Sequence, residues 1–327
     1  MLLLSIQHSC LLFPSTAAAA ATGSYYNNHQ RDAAALLQLK AHIISATSSS
    51  DHPLSRNWTA AAAAQVCSSW VGVLCGRRHR RVTSLNLANM GMQGTLPPHI
   101  GNLSFLVSLD LSGNLFRGDL PMELSKLWRL KIINLSDNQF GGSIPPSLGD
   151  LRGLKVLDLE GNRLSGGIPT AIFNISSLER LILASNSLSG SLPDDICNQF
   201  RKIEVLNVSL NDLGGRIPSL LGRCGNLQNL SFGGNWFTGP IPKSIGNLTA
   251  LKALSFAFTN LTGDIPVEIG NLKSIPVTIG NCSVLRELYL DNNNLTAEDH
   301  GIASDKILYW VLKLSDLLLI TLCTTCG

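Results

Sequence analysis

The chain has 327 residues, of which 45% are hydrophobic, 14% charged and 6% aromatic, with a formal charge of +3. So few aromatics argue against one bulky globular core, and the near-neutral balance leaves no electrostatic footprint for nucleic acid. A length that would ordinarily hold about two domains is instead taken up by an internal repeat.

In chain order, apolar residues 1–6 and 11–13 run into the alanines at 17–21, the small-residue pattern of a signal-peptidase site. Residues 1–21 are therefore expected to be a secretory signal that takes Cys10 with it. Residues 32–81 read as a cap. Within it, residues 32–44 carry Leu36, Leu39 and Ile43 at helical spacing and predict a short helix. Residues 60–64 are a low-complexity alanine run, and the basic run at 77–81 reads as a solvated loop.

Coils open at Val82, Leu106, Leu130, Leu154, Leu178, Ile203, Leu227 and Leu251, 24 residues apart except for a 25-residue fifth coil. Each reads close to L-x-x-L-x-L-x-x-N-x-L-x-G-x-I-P. The first, fourth and sixth positions point inward and the residues between them outward, which is strand alternation. Stacked coils should pair these strands into a parallel sheet lining the concave side. Asn114, Asn138, Asn162, Asn186, Asn211, Asn235 and Asn293 fall at the ninth position, where the chain turns and an amide ladder can satisfy its backbone. Thr259 takes that place in the eighth coil, and local weakening is expected there. After the thirteenth-position glycine, proline fixes φ and removes a donor, so the segment should run extended over the side of the arc.

After Lys273-Ser274 the chain echoes itself ten residues out of phase, so a ninth coil is truncated and the terminal coil resumes at Leu285. Residues 275–284 are expected to loop from the convex side while the strands on either side pair. The solenoid spans 82–296: eight regular coils, one truncated and one terminal. Residues 297–327 form an atypical tail. Its apolar stretch 307–323 contains Lys313 and Asp316, so spanning a membrane is unfavourable; a helix capping the last coil is the structured alternative, a misread gene product the other.

The period and consensus are those of leucine-rich repeats, and the Gly-x-Ile-Pro variant resembles their plant-specific class. The order of helix, Trp58, Cys67-Ser68-Ser69-Trp70-Val71-Gly72-Val73-Leu74-Cys75 and first repeat resembles the N-terminal cap of plant leucine-rich-repeat receptor-like kinase ectodomains. The stretch 78–89 followed by Gly-Thr-Leu-Pro-Pro looks most like the subfamily that senses microbial patterns in disease resistance. The resemblance implies an α/β fold: a curved right-handed solenoid, parallel sheet on its concave face, behind a helical cap closed by a Cys67–Cys75 disulfide. It implies an extracellular recognition domain, secreted or on the outer side of the plasma membrane. Its partners would be a peptide or protein ligand and a co-receptor, with membrane attachment only if the parent gene encodes a transmembrane helix. A stand-alone secreted protein that inhibits or scaffolds an enzyme uses the same coils, and a truncated product without function is the remaining reading.

No phosphate-cradling loop, kinase catalytic loop, zinc helix or serine-hydrolase elbow occurs in its required setting, so no catalytic residue, metal site or cofactor is expected. Ligand is expected on the outward strand positions, where Asp110, Asn134, Asp137, Asp158, Glu160, Asn207, Phe258 and Tyr289 combine short polar groups with aromatic anchors. Ten glycosylation sequons lie at Asn57, Asn102, Asn134, Asn174, Asn207, Asn229, Asn247, Asn260, Asn281 and Asn294. Cys224 and Cys282 occupy leucine positions and read as small buried thiols, Cys197 has no assigned role, and Cys323-x-x-Cys326 lacks the second ligand pair of a metal site.

Overall fold

The computed structural model describes residues 30–45, 53–273, 285, 287–296 and 320–321. The expected signal, the 275–284 loop and all but two residues of the tail lie outside the described residues, as do Cys10, Cys282, Cys323 and Cys326.

Inward leucines of successive coils form one continuous core: Leu85, Leu109, Leu157, Leu181, Leu206 and Leu254 are all fully buried or nearly so. Each buried side chain of this size stabilises the fold by about 1.5–3 kcal/mol relative to exposure. Phenylalanines also enter the core, with Phe116 stacked on Phe140 at 6.0 Å and Phe232 tilted against Phe256 at 5.8 Å.

The inner sheet runs in coil order through Val82–Asn86, Ser108–Asp110, Ile132–Asn134, Val156–Asp158, Arg180–Ile182, Val205–Asn207, Asn229–Ser231, Ala253–Ser255 and Glu287–Tyr289, all parallel. The pairing of Ala253 with Glu287 holds across the truncated ninth coil. Antiparallel strands close both edges: Val73–Cys75 from the cap, and Ile320–Thr321 against Glu287–Leu288. An open edge is a template for unwanted pairing. The two described tail residues are thus extended, not part of a helix.

Beyond each turn, a second short strand runs along the flank, as in Leu115–Asp119 and Asp212–Arg216. The prolines that follow are themselves extended, as expected, but the extended run ends with them. Pro97, Pro121, Pro145, Pro169 and Pro242, with φ between −76° and −61°, each N-cap a single 3₁₀ turn on the convex side. Proline suits that place because the first helical N–H groups lack intrahelical partners anyway.

The amide ladder is built as a repeating clamp. Asn138 donates from Nδ2 to the carbonyls of Leu111, Leu135 and Ser136, and its Oδ1 accepts from the Phe116 N–H. One side chain therefore ties its own turn to the preceding coil. Thr259 reaches only the Phe256 carbonyl and the Asn293 Oδ1. Among the described residues its side chain makes no hydrogen bond to the coil before it.

Several cap expectations need correction. The helix covers residues 30–42, and Ile43–Ser45 leaves it to pair with Met92–Gly94. A Cβ at Gly94, φ 137°, would collide with the His42 carbonyl, so only glycine admits this strand. The alanine run is a 3₁₀ helix, Ala60–Gln65, capped by Thr59, whose side chain accepts from the Ala62 N–H. Trp58 stacks on Trp70 at 5.4 Å. Arg77, Arg78 and Arg80 are exposed, but Arg81 is buried against Asp32, because the cap helix crosses the first coil at that point.

Cys67 and Cys75 are disulfide-bonded. Cys224 is not a lone buried thiol: it is bonded to Cys197, tying the convex turns of coils five and six together. Cys197 falls where the first and third coils have Gly101 and Gly149, two places before the leucine phase that Cys224 occupies, which hid the pair from a column-by-column reading.

Candidate functional site

The fifth-position column is continuous across the inner sheet, since Asp110 pairs in register with Asn134, Asn134 with Asp158, Ile182 with Asn207, and Ser255 with Tyr289. These side chains are not merely displayed. Asp110 Oδ1 accepts from the Ser112 N–H at 3.1 Å and its hydroxyl at 2.7 Å; Asn134 and Asn207 hold Ser136 and Ser209 in the same way, and Asp158 accepts from the Glu160 N–H at 3.1 Å. One oxygen of each is committed to the turn. The column interrupts itself at Ile182, which is 7% exposed.

The expected ligand residues fall into two groups. In coils two to four, Asp110, Asp137, Asp158 and Glu160 make an acidic patch. Burial pushes the Asp158 carboxyl up from its ordinary 3.8; the N–H of Glu160 and the charge of Arg180 oppose that, while Asp137 and Asp110 add to it. Burial also raises Glu160, followed by the charges of Asp158 and Asp137. Like charges in a partly desolvated concavity disfavour one another's ionisation.

In coils six to eight and the terminal coil, Asn207, Phe258 and Tyr289 come together around a groove of about 680 Å³, with Leu210, Asn229 and Asp291 also on its wall. Burial and the neighbouring Glu287 raise the Tyr289 phenol, keeping it a neutral donor. On the flank side of Phe258 lies a second hollow of about 350 Å³ that includes Asp212, Gly234 and Trp236. Leu210, Trp236 and Phe258 are 60%, 61% and 63% exposed.

The eighth position, just before the ladder asparagine, is left-handed in every coil of the described residues that has one. Asn89, Gly113, Asp137, Gly161, Ser185, Leu210, Gly234, Phe258 and Asn292 have φ between 51° and 66°. Glycine, asparagine and aspartate tolerate this conformation, but bulky Leu210 and Phe258 do not, at a cost of about 1–3 kcal/mol each. Phe258 was legible as an exposed aromatic and Leu210 as an outward residue of the same column; Trp236, on the flank strand, was not singled out.

Sequons divide by location. Asn102, Asn174 and Asn247 are exposed at the ends of convex 3₁₀ turns. Asn260 and Asn294 are exposed on the flank strands, whereas Asn229 opens into the groove. Asn57 is engaged: Nδ2 donates to the Ser69 carbonyl at 2.7 Å and Oδ1 accepts from the Val71 N–H at 2.6 Å. Asn281 lies outside the described residues.

Family models match the chain in its cap and repeats: a leucine rich repeat N-terminal domain at residues 29–76, and leucine rich repeats at 129–188, 105–127 and 226–248. The LRR receptor-like serine/threonine-protein kinase EFR of Arabidopsis thaliana is 58% identical over 38 residues, 12% of this chain and 4% of that protein. Among solved structures, the leucine-rich-repeat ectodomain of the plant membrane receptor kinase GASSHO1/SCHENGEN3 of Arabidopsis thaliana, in complex with CASPARIAN STRIP INTEGRITY FACTOR 2, is 32% identical with a TM-score of 0.72. It covers 81% of this chain and 30% of that one. A plant ice-binding protein is 26% identical with a TM-score of 0.65, covering 82% and 80%. The chain thus spans a small part of the receptor kinases it resembles.

Proposed function

We propose that this leucine-rich-repeat chain, a relative of plant receptor-kinase ectodomains, is an extracellular recognition domain that binds a peptide or protein ligand on its concave sheet in signalling or defence. On this reading residues 1–21 are a removed signal, 32–81 the cap and 82–296 the recognition solenoid. The partners are the ligand and, where the parent is a membrane receptor, a co-receptor. The observation that carries it is the groove over coils six to eight and the terminal coil, where Asn207, Phe258 and Tyr289 meet on a sheet held rigid by ladder hydrogen bonds. The solved receptor ectodomain resembling it holds a partner, which supports the same use here. Asp110, Asn134, Asp137, Asp158 and Glu160 extend the surface toward the cap.

Glycans on Asn102, Asn174 and Asn247 leave that face open, whereas one on Asn229 would fill the groove, so Asn229 is expected to be unmodified. The test is selection of a random displayed peptide library on the immobilised secreted chain, followed by Asp158→Ala and Phe258→Ala variants. Selected peptides should lose affinity for at least one of them. No enrichment, or affinity for both variants unchanged from the parent, would end the reading.

A further inference from the structure

We infer that Leu210, Phe258 and Trp236 form an apolar clamp that takes a bulky apolar side chain of the peptide ligand, next to a basic residue of the same peptide. This rests on the recognition reading above and names the ligand chemistry of one part of its surface.

Three observations converge. First, Leu210 and Phe258 occupy a left-handed column, at φ 54° each, where the other coils use glycine or small polar residues. A sequence can relieve that strain with a single change to asparagine, the residue found at 89 and 292 of the same column, yet it carries the two side chains least suited to it. Second, both are majority-exposed, as is Trp236, so no core packing rewards them. Third, Gly234 holds the same column position in the coil between them: a Cβ there would come within 2.6 Å of Leu210 Cδ2, so the glycine lets the Leu210 side chain lie over the intervening coil, and Gly234 lines both hollows beside Phe258. Phe258 stands between the inner groove and the flank hollow, while Leu210 lines the first and Trp236 the second.

Charge selects the neighbour. The two hollows are lined by Asp212, Glu287 and Asp291, and among the described residues no lysine or arginine lines either one. The nearby Lys252 is turned to the Gln228 Oε1 at 2.7 Å. An acidic rim around an apolar slot favours a cationic peptide and repels an acidic one. Large apolar anchors seated in a slot are the contacts that dominate interface energy.

The test uses the same displayed library on the secreted chain, then Leu210→Asn and Phe258→Asn. Enriched peptides should pair a leucine, phenylalanine or tryptophan with an adjacent lysine or arginine. The variants, freed of strain, should melt at or above the parent temperature while binding those peptides at least about tenfold more weakly. Enriched peptides that lack the pattern, or that bind both variants within about twofold of the parent, would overturn the clamp; if they still depended on Asp158, the recognition reading would survive. Failure of any peptide to enrich would remove both.

Discussion

Asp32 and Arg81, 49 residues apart, meet in a two-point buried ion pair, with Arg81 Nε donating to Asp32 Oδ2 at 2.8 Å and its terminal nitrogen donating to Oδ1 at 2.7 Å. The same Oδ2 accepts from the Val82 N–H at 3.0 Å, so one carboxylate joins the cap helix to the first residue of the first coil. Both side chains are shielded, at 8% and 1% exposure.

Asp32→Ala should therefore be severe. It strands a buried guanidinium, a loss of about 3–5 kcal/mol, whereas an apolar pair such as Asp32→Leu with Arg81→Met should recover most of that. Chemical denaturation of the three proteins decides it. A single variant within about 1 kcal/mol of the parent would show that the pair does not secure the cap.

Thr259→Asn should strengthen the solenoid. An asparagine at that phase elsewhere donates to three carbonyls and accepts from the coil before, as Asn235 does toward Phe232, Gly233, Val208 and Leu213. Restoring the rung between coils seven and eight should add about 1–2 kcal/mol. The reading is a higher urea midpoint at unchanged slope; an unchanged or lower midpoint would mean that the threonine is already satisfied.

Asp158→Asn should raise stability at neutral pH but not in acid. The folded chain holds the Asp158 proton above the ordinary value of 3.8, where the unfolded chain has released it. Stability therefore declines as pH rises through the window between 3.8 and the raised value, and the cost is complete above it. The substitution removes that cost yet keeps the oxygen that accepts from Glu160, as Asn134 and Asn207 do in the same column. Solvent in the concavity limits the gain to no more than about 1 kcal/mol. Melting curves at neutral pH and below the ordinary carboxylate value check it: a gap that does not close in acid contradicts the burial of this carboxyl.

Much of this was readable from spacing, because each coil repeats one local problem and solves it with the same residue types. The ladder asparagines, inward leucines and outward column all follow from phase alone. What escaped were pairs between different phases. Arg81 sat in a basic run that looked solvated, and only the crossing of the cap helix brings Asp32 to it. Cys197 and Cys224 are 27 residues apart, the 25 residues of the fifth coil plus two, so neither stood in register with the other. The apolar clamp left a trace, since leucine and phenylalanine are conspicuous among small polar residues, but the reason lies in a backbone angle that composition does not reveal.

The union of Ala253–Ser255 with Glu287–Tyr289 spans 34 positions where other neighbours span 24 or 25. The inner wall is thus a ruler that ignores how much chain is spent outside it. Length at that junction is negotiable, which makes it the natural place to splice an epitope or a fluorescent reporter without altering the surface that meets a ligand.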